Sequence, residues 1–294
     1  MGTIAIGTVL AAIGTALPES VVTLVAVTMG NTSNSKEIGV GAAMGGPLAL
    51  ATIAYGVSGY MLLSKKRGPD PLKNVDLAQL LKDQKWFLSI FLVKVGLGLI
   101  AFSFKPWLGF LFFAAYGAYF IKEMRADAEQ HSEAELEPLK LQRNSRIPSN
   151  WAVGVQTVAS LIVIFAASQL FVIQLEWAGP ALGLPATVTA LLLSPIATEM
   201  PEVMNAVIWI RQGKISLALA NISGAMMIQA TVPSGLGLLF TPWKFDRPLI
   251  LSGVVTITAI LYLLFLLKTK RFTPALLSVV GIFYGIFAFG LFFV

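Results

Sequence analysis

Thr15-Ala16-Leu17-Pro18-Glu19 and Thr198-Glu199-Met200-Pro201-Glu202 are one pattern, Thr-x-x-Pro-Glu, met twice inside long apolar runs. A carboxylate within such a run is costly, and is kept mainly where it lines a cavity or meets a cation. The proline before it withdraws an N–H from the helix and frees a carbonyl oxygen. One Pro-Glu pair alone reads as a helix start, with Pro in the first turn and Glu at the positive dipole end. Two of them at matching places in the two halves of a chain point to a cation site shared by related half-domains.

The surrounding sequence decides the class. Of 294 residues 56% are hydrophobic and only 12% charged, and the mean hydropathy is +0.78, which marks a polytopic membrane protein. Apolar runs near 3–29, 38–63, 86–104, 107–122, 151–175, 182–210, 215–240, 248–267 and 273–293 predict about nine transmembrane helices in an all-α fold. Helices are required because a spanning segment must satisfy its own backbone. The run at 4–13 lacks the basic n-region of a signal peptide and leads straight into the first motif. Trp86, Trp107, Trp151, Trp177, Trp209 and Trp243 fall near span ends, where interfacial anchors belong. With no cysteine, disulfides and thiolate metal sites are excluded. The net charge of +6 sits in loops between spans, so it is no sign of a nucleic-acid partner.

Lys and Arg also orient the chain. The side of the 64–85 loop collects sixteen of them, and the other side has only Lys36, Lys105, Lys244 and Arg247. The richer side is expected to be cytoplasmic, with the N-terminus inside and the C-terminus outside. The two motif helices then run in opposite directions, as in the inverted repeats of secondary transporters. The expected organisation is a first repeat over 1–122, a cytoplasmic linker over 123–150 and a second repeat over 151–294. The span at 151–175 has no counterpart before residue 3, so a first helix is expected to be missing or dispensed with. The linker holds several acids and the only histidine, His131, and reads as a solvated hinge.

Correspondence extends beyond the motifs. Gly30 and Gly213 each follow their glutamate by eleven residues and suit helix ends. Gly41-Ala-Ala-Met-Gly45 then matches Ala220-Asn-Ile-Ser-Gly224, small residues that permit close helix packing. Among the fifteen acids, Glu19, Glu199 and Glu202 are the ones placed within spans, and Lys94 is the basic residue near a span's middle. Carboxylate, hydroxyl and carbonyl oxygens are what a hard cation such as Ca²⁺ needs in place of water. Thr15 and Thr198, one turn before each glutamate, offer hydroxyls, and Asn221, Gln229 and Thr231 are polar candidates for the same cavity. Lys94 either pairs with a site carboxylate or snorkels to an interface. No resident cofactor is expected.

On these motifs the chain resembles the sodium/calcium exchanger superfamily, as a divergent, prokaryotic-type member. The resemblance implies ten helices in two inverted five-helix repeats, with the first helix absent here, and an integral protein of a prokaryotic cytoplasmic membrane. It also implies that Glu19 and Glu202 are the central Ca²⁺ ligands. Its repeats read close to Gly-Thr-Ser-Leu-Pro-Glu followed by Gly-Asn-x-x-Gly-Ser-Asn. This sequence has Ala16 and Glu199 for the serine after the motif threonine, Gly46 and Ala225 for the later serines that help hold sodium, and Leu50 and Gln229 at the next polar position. The resulting expectation is a cation antiporter that exports Ca²⁺ against H⁺ or Na⁺ by alternating access, with Ca²⁺, the counter-ion and the bilayer as its partners. Two other readings exist: an intramembrane lipid-phosphate hydrolase with paired acids, which would need cationic phosphate clamps, and an inactive scaffold.

Overall fold

In the computed structural model, residues 12–30, 32–64, 72, 75–126, 140–142 and 149–294 are described, with backbone alone at 12–15 and 123–126. The run at 4–13, most of the 123–150 linker with His131, and the Thr15 side chain therefore fall outside the described part. Among the described residues the elements are all helical. They are α1 (Ala12–Thr28), α2 (Ser33–Ser64), α3 (Leu77–Leu99), α4 (Gly109–Ala126), α5 (Asn150–Leu182), α6 (Ala186–Thr198), α7 (Met200–Arg211), α8 (Ile215–Phe240), α9 (Arg247–Lys268) and α10 (Pro274–Phe293). Five of them, α2, α5, α8, α9 and α10, are long and apolar enough to cross a bilayer by length and composition.

Side-chain caps set several of the starts. Thr32 accepts from the Ser35 N–H ahead of α2, and Asp246 from Leu249 ahead of α9. Asp76 accepts from Ala78 and Gln79 at 3.0 and 2.9 Å and so begins α3 nine residues before the apolar run at 86. The correction has a sequence signature, Asp76-x-x-Gln79, which resembles a capping box. It draws Asp83 and Gln84 into the buried part of the helix, so the embedded acids are not confined to the three glutamates.

The second motif is not inside one continuous helix. The run at 182–210 breaks at Glu199, whose backbone (φ −94°, ψ −9°) ends α6 and starts α7. Pro195 and Pro201 flank the break, each unable to donate to the helix before it. In α2, Pro47 has a related effect, a wider π-helical turn over Leu50–Ala54.

Helices α2 and α8 are the buried axis, while α5 and α10 expose most of their apolar surface. The halves pair across this axis. α2 packs on α6 and α1 on α8; α2 packs on α10 and α8 on α4. Glycines permit these approaches. A Cβ at Gly41 would stand 2.8 Å from the Thr187 carbonyl of α6, and one at Gly45 2.8 Å from Pro195. Backbones also touch at Gly56 against Gly281, and at Gly235 against Gly109. The register of the repeat is visible in hydrogen bonds as well, because Thr52 and Thr231, which correspond, each bond the carbonyl four residues back.

The tryptophans divide. Trp107, Trp151 and Trp177 are well exposed, and Lys122 stands 5.0 Å over the Trp86 ring, as at an interface. Trp243 instead is fully buried, at φ +45°, packed on Gly237 with its indole N–H donating to the Lys94 carbonyl at 3.2 Å. The ammonium of Lys105 then gathers the carbonyls of Leu97, Ile100 and Trp243 at 3.1, 2.7 and 3.0 Å, closing the C-terminal end of α3.

Candidate cation site

Glu19 is fully buried in the interior of α1, and Glu202 is fully buried in the first turn of α7. The plain reading of a Pro-Glu pair, a glutamate at a helix's positive end, is thus realised for Glu202 and not for Glu19. The two motifs meet through Ser194 of α6, whose hydroxyl donates to Glu19 Oε2 at 3.4 Å. One turn on, the Thr198 hydroxyl lies 3.0 Å from the Ser194 carbonyl and 2.9 Å from Glu199 Oε1. The other oxygen of Glu199 accepts from the Gln229 amide of α8. Glu199 therefore belongs to the same polar chain as Glu19, held by two donors. Its counterpart in the first repeat, Ala16, is buried and brings no polar group.

Lys94 does not snorkel. Fully buried, it donates to the Ala43 carbonyl of α2 at 2.6 Å and the Gln229 carbonyl of α8 at 3.4 Å, while its ammonium stands 5.3 Å from the centre of the Phe91 ring. Glu19 lies in the electrostatic field of both Lys94 and Glu199. Glu19 and Glu199 put two carboxylates into one buried polar chain, with the Lys94 ammonium as counter-charge in the field of Glu19, and buried charges of this kind are costly unless compensated.

Oxygen donors are available to a hard cation. Among the described residues Glu19 Oε1, Asn221 Oδ1 and Gln229 Oε1 are buried without a hydrogen-bond partner. No three acidic side chains there converge closely enough to form a ready cage, so amide, hydroxyl, carbonyl or water oxygens must complete a shell. Thr231 does not point to the site: its hydroxyl turns back to Met227 O and Ile228 O in its own helix. Ser194 was missed from sequence, though its place one turn before Thr198 was a signal that could have found it.

Gly46, where the family pattern has a serine, touches the site amide directly. A Cβ there would stand 2.7 Å from Gln229 Oε1 and 2.9 Å from its Cδ. The Gln229 amide takes the room that a side chain at position 46 would need.

A cavity of about 540 Å³ opens where α2, α6 and α9 begin, lined by Lys36, Glu37, Val40, Thr187, Lys244 and Asp246 among others. Its wall at Val40 lies one turn from Ala43. Toward the other face a small pocket of about 30 Å³ lies beside Asp76, Gln79 and Asp83. There Gln84 donates to Tyr55 Oη at 2.7 Å and Ser223 Oγ at 3.1 Å, tying α3 to α2 and α8.

This arrangement defines an integral membrane transporter of the helical, secondary type: acids from two related motifs are sealed at the meeting of two half-domains. The sequence matches the family described as "Sodium/calcium exchanger protein" over residues 2–122 and 153–294. The chain belongs to that family, and is a cation/Ca²⁺ exchanger-type transporter, not an enzyme. The inner membrane protein YrbG of Escherichia coli (strain K12) is 23% identical over 277 residues, covering 92% of this chain and 79% of that protein. Solved structures share the fold, among them two exchangers. The sodium-calcium exchanger NCX_Mj superposes with TM-score 0.64 at 20% identity, covering 97% of this chain and 86% of its own. The H⁺/Ca²⁺ exchanger CAX superposes with TM-score 0.66 at 15% identity, covering 99% and 76%. The fold is thus shared by a sodium-calcium exchanger and an H⁺/Ca²⁺ exchanger.

Proposed function

We propose that the chain exports Ca²⁺ from the cytoplasm of a prokaryote in exchange for H⁺ or Na⁺, by alternating access around a site between the two motifs. Glu19 and Glu202 would be the central ligands. Thr15, Thr198, Asn221 and Gln229 would supply further oxygens, and Glu199 a third carboxylate. One observation carries the reading: Ser194 of the second motif's helix bonds Glu19 of the first, in a buried polar chain that also holds Glu199. A cation bound there would offset buried carboxylate charge, which is strongly destabilising when left uncompensated.

Several features support H⁺ over Na⁺ as the counter-ion. Gly46 and Ala225 stand where the family pattern has hydroxyls, and Gln229 fills the space beside Gly46. Buried carboxylates without a bound cation are natural proton acceptors. The 540 Å³ cavity lies on the face with few Lys and Arg, which supports an outward-facing arrangement. Repeats over 1–122 and 151–294, joined by 123–150, would be the moving halves.

The test is Ca²⁺ uptake into proteoliposomes under an imposed pH or Na⁺ gradient. Glu19→Gln and Glu202→Gln are each expected to lower uptake at least about tenfold, equivalent to about 1.4 kcal/mol of lost ion binding. Uptake unchanged by both substitutions would refute the assignment.

A further inference from the structure

Two prolines remove the usual i+4 N–H donor from two carbonyls that meet at the same point. In α2 the Ala43 carbonyl would ordinarily accept from residue 47, which is Pro47; in α8 the Gln229 carbonyl would accept from residue 233, which is Pro233. Both oxygens receive the ammonium of Lys94, from a third helix. Unwound or proline-freed carbonyls beside a buried carboxylate are the donors with which transporter folds hold monovalent cations. Here a carboxylate, Glu19, lies within the electrostatic field of the same ammonium.

We propose that Lys94 is a tethered cation. Its ammonium takes the place a monovalent cation would occupy on Ala43 O and Gln229 O, in the field of Glu19, so part of the counter-charge of the buried acids is permanent and never exchanged. The inference rests on the reading of Glu19 as a member of the transport site. It goes further in assigning a monovalent-cation subsite on α2 and α8 and in giving Lys94 the role of its resident occupant. It also accounts for an otherwise costly choice. A buried lysine satisfying two carbonyls could be replaced by restoring two N–H groups, yet this chain keeps both prolines and the charge.

The test is a thermal-shift comparison of purified protein in Na⁺, K⁺, methylammonium and choline chlorides at equal ionic strength. Lys94→Ala empties the subsite, and is expected to gain about 5 °C in Na⁺ or methylammonium relative to choline, the size expected for near-saturating ligand on a chain of this length. The gain is read as the difference between Lys94→Ala and wild type in each salt, which cancels Na⁺ binding elsewhere in the protein. Adding Pro47→Ala to Lys94→Ala supplies an N–H to Ala43 O and should abolish most of the gain. If Lys94→Ala is not recovered folded, Lys94→Ser, too short to reach either carbonyl, should show the same order of salts. A variant that folds with no preference for Na⁺ or methylammonium over choline beyond that of wild type overturns the proposal and leaves Lys94 as a plug for two carbonyls. Ca²⁺ takes no part in this assay, so its outcome is separate from whether Ca²⁺ is the substrate.

Discussion

Replacing Gly46 by serine tests the packing that separates this site from the family pattern. The new Cβ would stand 2.7 Å from Gln229 Oε1, where ordinary contact begins at 3.4 Å. The amide must retreat by about 0.7 Å within a tightly packed interior. Overpacking of this kind costs about 1–3 kcal/mol. Retreat also pulls Gln229 Nε2 from Glu199, and a hydrogen bond to a charged group is worth about 1.5–3 kcal/mol. The expected loss is therefore about 2.5–6 kcal/mol, or about 5–18 °C in Tm at 2–3 °C per kcal/mol. Gln229→Ala removes the obstacle, so the double variant should be more stable than Gly46→Ser alone. The coupling energy in the double-mutant cycle should be at least about 1.5 kcal/mol. The assay is thermal unfolding of the purified protein in one detergent for all four forms. A Gly46→Ser variant within about 1 °C of wild type, or costs that simply add, would refute the reasoning.

Two further substitutions probe the supports of α3. Gly237→Ala puts a methyl 2.1 Å from the Trp243 ring; it should displace the indole, break its bond to the Lys94 carbonyl and cost about 3 kcal/mol or more, read as a lowered Tm. Lys105→Met leaves the carbonyls of Leu97, Ile100 and Trp243 without their shared donor; it should cost about 2–4 kcal/mol and speed amide exchange across 98–109, with Lys105→Arg recovering part of the loss.

Hydropathy, loop charge and the doubled motif are properties of the chain read in one dimension, and they were enough for the class. A bilayer imposes one requirement on every span, so apolar length alone locates most helices. The nine runs and the embedded Glu19, Glu199 and Glu202 were legible for this reason, as was the small-residue face of α2. Boundaries set by polar caps were not. Hydropathy starts α3 at Trp86, but Asp76 starts it, and this carries Asp83 and Gln84 inside.

The partners of each buried group were a matter for the tertiary structure. Sequence shows that Pro47 and Pro233 free two carbonyls, but only the meeting of α2, α3 and α8 brings Lys94 to both. It shows Gly46 and Gln229 as departures from a family pattern, but only packing makes them one exchange of volume. Trp243 looks like an anchor from its place near a span end, yet Gly237 makes room for it in the core. The doubled Thr-x-x-Pro-Glu placed two acids inside apolar runs, and both are buried. Which hydroxyl, amide and ammonium stand near Glu19 and Glu199 depended on contacts between residues far apart in the chain, because hydrogen-bond partners and shared volume exist only once helices have packed.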